Sequence, residues 1–257
     1  AMLEVVGQEG LKILNLNFVN EETFFNFSCF ENSDSATTYL QTTSSSANVS
    51  LTHLVNTSDT AQQFSGTLYS GTGERLGSAN QFLHEGLIPP KGRLIVSSSY
   101  LESVFGVTPW SGPAVFEVSG TDTFELMTKL QSPSGLISNT NCVRQDQVHN
   151  IEGFDSSDLT FVRFINSGTV DLNNIKGTLY DSDGAVIGSA SQTLHSTLAA
   201  KSQVWLNRNT LSDLVGGTWN GEATLKIEAP PDALRLLNLN FINSETFFNF
   251  SCYEATD

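Results

Sequence analysis

LKILNLNFVNEETFFNFSCFE, residues 11–31, returns near the other end of the chain as LRLLNLNFINSETFFNFSCYE, residues 234–254, with 16 of 21 positions identical. Leu and Asn alternate, a polar turn follows, and an aromatic run ends in Cys, which is the pattern of two short strands joined as a hairpin. A second match lies between these ends. GTLYSGTGERLGSANQFLH at 66–84 pairs with GTLYDSDGAVIGSASQTLH at 177–195. Around it, Leu54-Val55-Asn56 matches Phe164-Ile165-Asn166, Leu94-Ile95-Val96 matches Val204-Trp205-Leu206, and Trp110 matches Trp219. Cys29, Cys142 and Cys252 stand once per copy, 113 and 110 residues apart. The chain therefore reads as a tandem array whose residues 3–31 are the tail of a preceding copy. The end copies resemble each other more than the middle one, an alternating order with a longer period.

A repeat near 110 residues is too long for a solenoid unit and fits independent domains. In the second copy, turn signals separate strands expected at 159–165, 173–180, 185–194, 202–208, 221–228, 234–242 and 246–252. A helical turn is expected after the fourth strand. In the first copy Ser99–Glu102 has capping-box spacing, with Leu101, Val104 and Phe105 facing inward. The expected fold is all-β: two tandem immunoglobulin-like, seven-stranded β-sandwich domains plus an N-terminal β-hairpin. The boundaries follow as a hairpin at 1–31, a solvated linker at 32–48, a sandwich at 49–142, a second linker at 143–158 and a sandwich at 159–257. Leu126, Thr128 and Leu130 keep a different phase from Leu14 and Leu16, which predicts a one-residue bulge or gap in the middle copy.

Composition narrows the function. Among 257 residues, 39% are hydrophobic, 15% are charged and 17 are Phe, a globular rather than a disordered profile. Lys and Arg number 12 against 27 Asp and Glu, a net charge of −15 that repels a phosphate backbone. Nucleic acid is not an expected partner. No apolar run reaches membrane-spanning length, so no membrane insertion is expected.

Candidate site residues are few. Asp181-Ser182-Asp183-Gly184 has the opening of a calcium loop without its closing Glu, so Asp181 and Asp183 are candidate metal ligands and a hairpin turn is the simpler reading. Trp110 and Trp219 flank Gly-containing turns, where an exposed indole can stack on a sugar ring; packing in the core is the alternative. His84 and His195 match at strand ends with no metal-spaced partner. Asn26, Asn48, Asn56 and Asn249 lie in N-x-Ser/Thr sequons. Phe24, Phe25, Phe27 and Phe30 would leave a large apolar patch on an isolated hairpin, so residues 11–30 are expected to pack on the first domain or to exchange strands with a neighbouring chain. No nucleophile elbow, phosphate loop or zinc-protease motif occurs.

In its GTLYDxxGxxxG-like hairpin and its repeat length, the chain resembles the tandem sandwich repeats of large secreted bacterial proteins. The tandem copies, the acidic composition and the lack of catalytic spacing lead to the expectation of a non-catalytic extracellular adhesin, spacer or scaffold segment, secreted or on the cell surface, with no cofactor beyond the candidate calcium at Asp181 and Asp183. The alternatives are a carbohydrate-binding accessory module, with extracellular polysaccharide as its partner, and a module that binds another copy of the repeat by strand addition.

Overall fold

The computed structural model describes residues 16–18, 24–26, 31–40, 42–135, 137–139, 148–151, 159–221, 223–228, 234–241 and 247–249. These residues form antiparallel sheets with two short helices, an all-β architecture. Two compact units divide the chain: residues 1–68, 77–109 and 116–141 in one, residues 69–76, 110–115 and 142–257 in the other.

Along the first part of the chain run β1 (Leu16–Phe18), β2 (Phe24–Asn26), β3 (Glu31–Leu40), β4 (Val49–Asn56), β5 (Ser65–Ser70), β6 (Arg75–Phe82), β7 (Arg93–Ser97), α1 (Ser98–Phe105), β8 (Ala114–Gln131) and β9 (Ile137–Asn139). Strands β6-β5-β8-β4-β7 are joined in that order, and β3 and β9 also pair with β8. The rest comprises β10 (Val148–Ile151), β11 (Leu159–Asn166), β12 (Leu172–Asp181), β13 (Val186–Leu198), β14 (Gln203–Asn207), α2 (Arg208–Val215), β15 (Ala223–Glu228), β16 (Leu234–Phe241) and β17 (Phe247–Asn249). Here two four-stranded sheets, β10-β15-β12-β13 and β14-β11-β16-β17, share one core. Val162, Phe164, Leu206 and Leu236 enter it from one sheet, and Ile175, Leu179, Leu194 and Leu225 from the other. Alternating strands that bury one face against a second sheet build a β-sandwich.

By the repeat offset, β8 spans the positions that β15 and β16 hold separately. Its 18 residues turn a corner near Gly120, where the buried Gln62 donates from Nε2 to the Thr123 carbonyl (2.9 Å) and accepts from the Asp122 N–H at Oε1 (3.2 Å). Beyond the corner its register with β4 runs unbroken from Asn56↔Phe124 to Val49↔Gln131, as β11 and β16 run from Asn166↔Leu234 to Leu159↔Phe241. The expected bulge in the middle copy is absent. Leu126 is the counterpart of Leu236, and both are core residues. Met127 and Leu237, one position on, are buried too, so both parities of the strand are covered and alternation lost its meaning as a face signal.

The two expected linkers carry strands. Residues 31–40 form β3, with Thr38, Tyr39 and Leu40 buried, and residues 148–151 form β10 on β15. Ser/Thr-rich sequence looked solvated, but threonine suits a strand when its hydroxyl finds a partner. Thr38 Oγ1 donates to Thr128 Oγ1 (2.6 Å), which also lies 2.8 Å from Thr52 Oγ1, and all three residues are buried.

Each helix is fixed at both ends. Ser97 and Asn207 accept the N–H of Tyr100 and of Thr210 through their side chains, and Gly106 and Gly216 close the C-termini at φ 64° and 72°. The cap lies two residues before the expected Ser99, and Val104 is only half-buried while Leu101 and Phe105 are inside. Glu102 turns away from a capping box. Its carboxylate accepts from the Ser44 N–H (3.2 Å) and from Ser44 Oγ. Each helix then seals a sheet edge. Gly77 in β6 (φ 73°) meets the Phe105 backbone, and Gly188 in β13 (φ 69°) meets the Val215 backbone. The same edges are kinked at Asn80 (φ 53°) and Ser191 (φ 52°), whose N–H groups donate to Thr67 Oγ1 (3.1 Å) and Thr178 Oγ1 (2.9 Å). Kinked, helix-covered edges resist pairing with another chain.

Candidate functional site

Trp110 and Trp219 are 6% and 7% exposed. Indoles this buried offer no face to a sugar, and the stacking platform expected from the sequence is absent at both positions. Trp219 belongs to the core, with the Arg208 guanidinium 5.0 Å from its ring and donating to its carbonyl oxygen. The carbohydrate reading loses the exposed rings it needed.

Asp181 serves its own turn. Its Oδ1 accepts the N–H groups of Asp183 (3.0 Å) and Ala185 (2.8 Å), and Gly184 takes φ 80°. Ser70 does the same in the first copy, its Oγ accepting from the Thr72 and Glu74 N–H groups at 3.3 and 3.2 Å. The same turn thus closes on a hydroxyl in one copy and on a carboxylate in the other. Among the described residues no group of three or more His, Cys, Asp or Glu side chains is placed to hold a metal. His195 lies within β13 opposite Ile175, and His84 lies just past β6.

Sequence reading underrated the asparagine that ends β4 and β11. Asn56 and Asn166 are both 0% exposed. Asn56 Nδ2 donates to the carbonyls of Thr60, Ile88 and Pro89 at 2.8, 3.1 and 3.0 Å; Asn166 Nδ2 donates to those of Val170, Leu198 and Ala199 at 2.8, 3.0 and 3.0 Å. Their Oδ1 atoms accept from the N–H groups of Ser58 (3.0 Å) and Gly168 (2.9 Å). One amide thus ties two loops at the same end of each copy. A lysine completes the tie. Lys91 and Lys201, both at positive φ (58° and 57°), donate to the carbonyls of Thr57 (2.6 Å) and Ser167 (2.5 Å). Asn56 heads a sequon, but its buried nitrogen is engaged and closed to a glycan in the folded chain. The matched Asn in both copies was the available signal.

Further back along these same strands, β4 and β11, the copies diverge. Arg163, fully buried, lies 3.8 Å over the Trp205 ring, and Phe161 meets that ring edge-on at 5.6 Å. The matching position in the first copy holds His53, opposite Ile95 and Met127. Burial first, then Lys129 and Arg93, pull the His53 imidazolium down to about 4, so the ring is neutral near pH 7.

Phe24 and Phe25 lie in β2, which pairs with β1 as a separate two-stranded sheet beside β9. Phe27, Phe30, Cys29, Cys142 and Cys252 lie outside the described residues. Exposed apolar side chains of the first copy include Phe82 at 65%, Leu87 at 60% and Tyr100 at 39% exposure. The second copy has Thr193, Thr197 and Thr210 at the matching positions.

No family model matches the chain, and no curated protein matches it. A crystal structure described only as a secreted-protein candidate from Parabacteroides distasonis aligns with 90% of this chain and 87% of its own, at 9% identity and a TM-score of 0.22. Superposition that poor carries neither fold nor function across. No helix among the described residues is long and apolar enough to cross a membrane.

Proposed function

We propose that this chain is a non-catalytic segment of tandem immunoglobulin-like sandwich repeats, a spacer, adhesin segment or scaffold in a larger secreted or cell-surface protein. One observation carries the reading: the copies share the devices that hold the frame, and they differ in several exposed side chains. They share the buried Asn, the lysine tie, the kinked edge and the capped helix, all devices that hold a frame. At the surface, Phe82, Leu87 and Tyr100 give way to threonines, so the two copies present different faces on one frame. Strong negative charge suits a segment that stays dissolved and extended from its neighbours. Antibodies raised against the chain supply the test. Intact cells of the source organism are expected to be labelled, with the signal lost after external protease; labelling only after lysis overturns the proposal.

A further inference from the structure

We propose that the hairpin β1–β2 is an exchangeable element that fits the β16–β17 position against β11 in a second copy of this chain. This inference does not rest on the extracellular reading. Two observations carry it. First, the hairpins are the same object. β1 and β16 carry Leu-Asn-Phe at 16–18 and 239–241, and β2 and β17 carry Phe-Phe-Asn at 24–26 and 247–249. Their registers coincide: Leu16↔Asn26, Asn17↔Phe25 and Phe18↔Phe24 in one, Leu239↔Asn249, Asn240↔Phe248 and Phe241↔Phe247 in the other.

Second, their surroundings differ. β16 pairs along its whole length with β11, from Leu159↔Phe241 to Asn166↔Leu234. Among the described residues β1 has β2 as its only strand partner. The segment that β11 reads is LRLLNLNF at 234–241, and residues 11–18 offer LKILNLNF. Six of these eight positions are identical. The other two exchange Arg235 for Lys12 and Leu236 for Ile13, swaps that keep charge and volume. Leu234 and Leu236, the core residues of β16, become Leu11 and Ile13. Two copies of one hairpin thus compete for a slot that only one can fill. A hairpin held outside a full sheet is the weaker-bound copy and the natural donor. Because donor and slot are different parts of the chain, the contact is head-to-tail and can propagate. The edges at β6 and β13 are kinked and covered by helices, so neither offers a route for such exchange.

Disulfide trapping in the full chain tests this, with Cys29, Cys142 and Cys252 each changed to Ser. Asn240 is the Cα partner of Thr160, and Asn17 is its counterpart in the first hairpin. Thr160→Cys with Asn240→Cys is expected to close within one chain and certifies the fold. Thr160→Cys with Asn17→Cys is expected to give, on mild oxidation, a covalent dimer whose share rises several-fold as the chain is concentrated. Neither single variant should match that yield. Absence of the mixed crosslink while the control pair closes overturns the proposal. A mixed crosslink confined to single chains overturns the second-copy assignment, and dimers formed equally by the Asn17→Cys single variant overturn the slot.

Discussion

Gly188→Ala should be among the most damaging one-methyl changes in the second unit. Gly188 sits in edge strand β13 at φ 69°, a left-handed conformation that costs an alanine about 1–2 kcal/mol. A Cβ there would lie 2.8 Å from the Val215 carbonyl carbon and 2.9 Å from the Gly216 carbonyl carbon, with the Val215 oxygen nearer still. Those atoms are backbone at the C-terminus of α2, so relief requires the helix to move off the edge. Overpacking of this kind adds about 1–3 kcal/mol. The sum, about 2–5 kcal/mol, corresponds to a fall of roughly 8–20 °C in the melting temperature of a unit this size. Gly184→Ala is the matched control. Its φ is 80°, and nothing lies within 4 Å of its added Cβ, so it carries the conformational term alone. Urea titrations followed by tryptophan fluorescence, with calorimetry alongside, compare the two. If both variants lose the same stability to within about 0.5 kcal/mol, the helix does not lock the edge and the packing argument fails.

Asn166→Ala should destabilise by about 3–4 kcal/mol, because three carbonyls and the Gly168 N–H lose a buried partner together; Asn173→Ala, at an exposed residue of β12, is the neutral comparison in the same denaturation assay. His53 is held near 4, below its ordinary 6.5, so the unfolded chain binds the proton first. Its contribution is fully present above pH 6.5 and is lost as pH falls toward 4, while Glu125, raised by burial, acts in the opposite direction. His53→Gln should flatten the pH–stability curve over that window, and an unchanged slope would count against a buried neutral imidazole. Millimolar calcium should leave the melting temperature where a chelator leaves it, and Asp181→Ser, which copies the first repeat's turn, should cost under about 1 kcal/mol; a calcium-dependent rise abolished by Asp181→Ser would restore the metal site.

Much of the fold was legible because strands repeat in sequence as they repeat in space. Expected strands at 159–165, 173–180 and 234–242 stand at 159–166, 172–181 and 234–241. The helix after the fourth strand was visible in Leu101 and Phe105, but its cap was not, since Ser97 and Ser99 offer the same chemistry two residues apart. β3 stayed hidden because Thr38, Thr52 and Thr128 satisfy one another inside the sandwich, and a lone threonine in sequence does not reveal its partner. The site residues suffered most. Indole exposure at Trp110 and Trp219 is a property of what surrounds them, and the hold of the Asp181 carboxylate on its own backbone depends on how the turn folds.

Sequence alone determined that this protein is a repeated β structure, that its ends carry one hairpin twice, and that its net charge is strongly negative. These depend on pattern and composition, which are local or additive. Tertiary structure alone decided which asparagine holds two loops, which edges are sealed, which tryptophans are inside, and that one hairpin extends a four-stranded sheet while, among the described residues, its twin forms a two-stranded sheet. Such facts depend on atoms far apart in the chain meeting at hydrogen-bond or van der Waals distance, and no single strand's residues encode their partners.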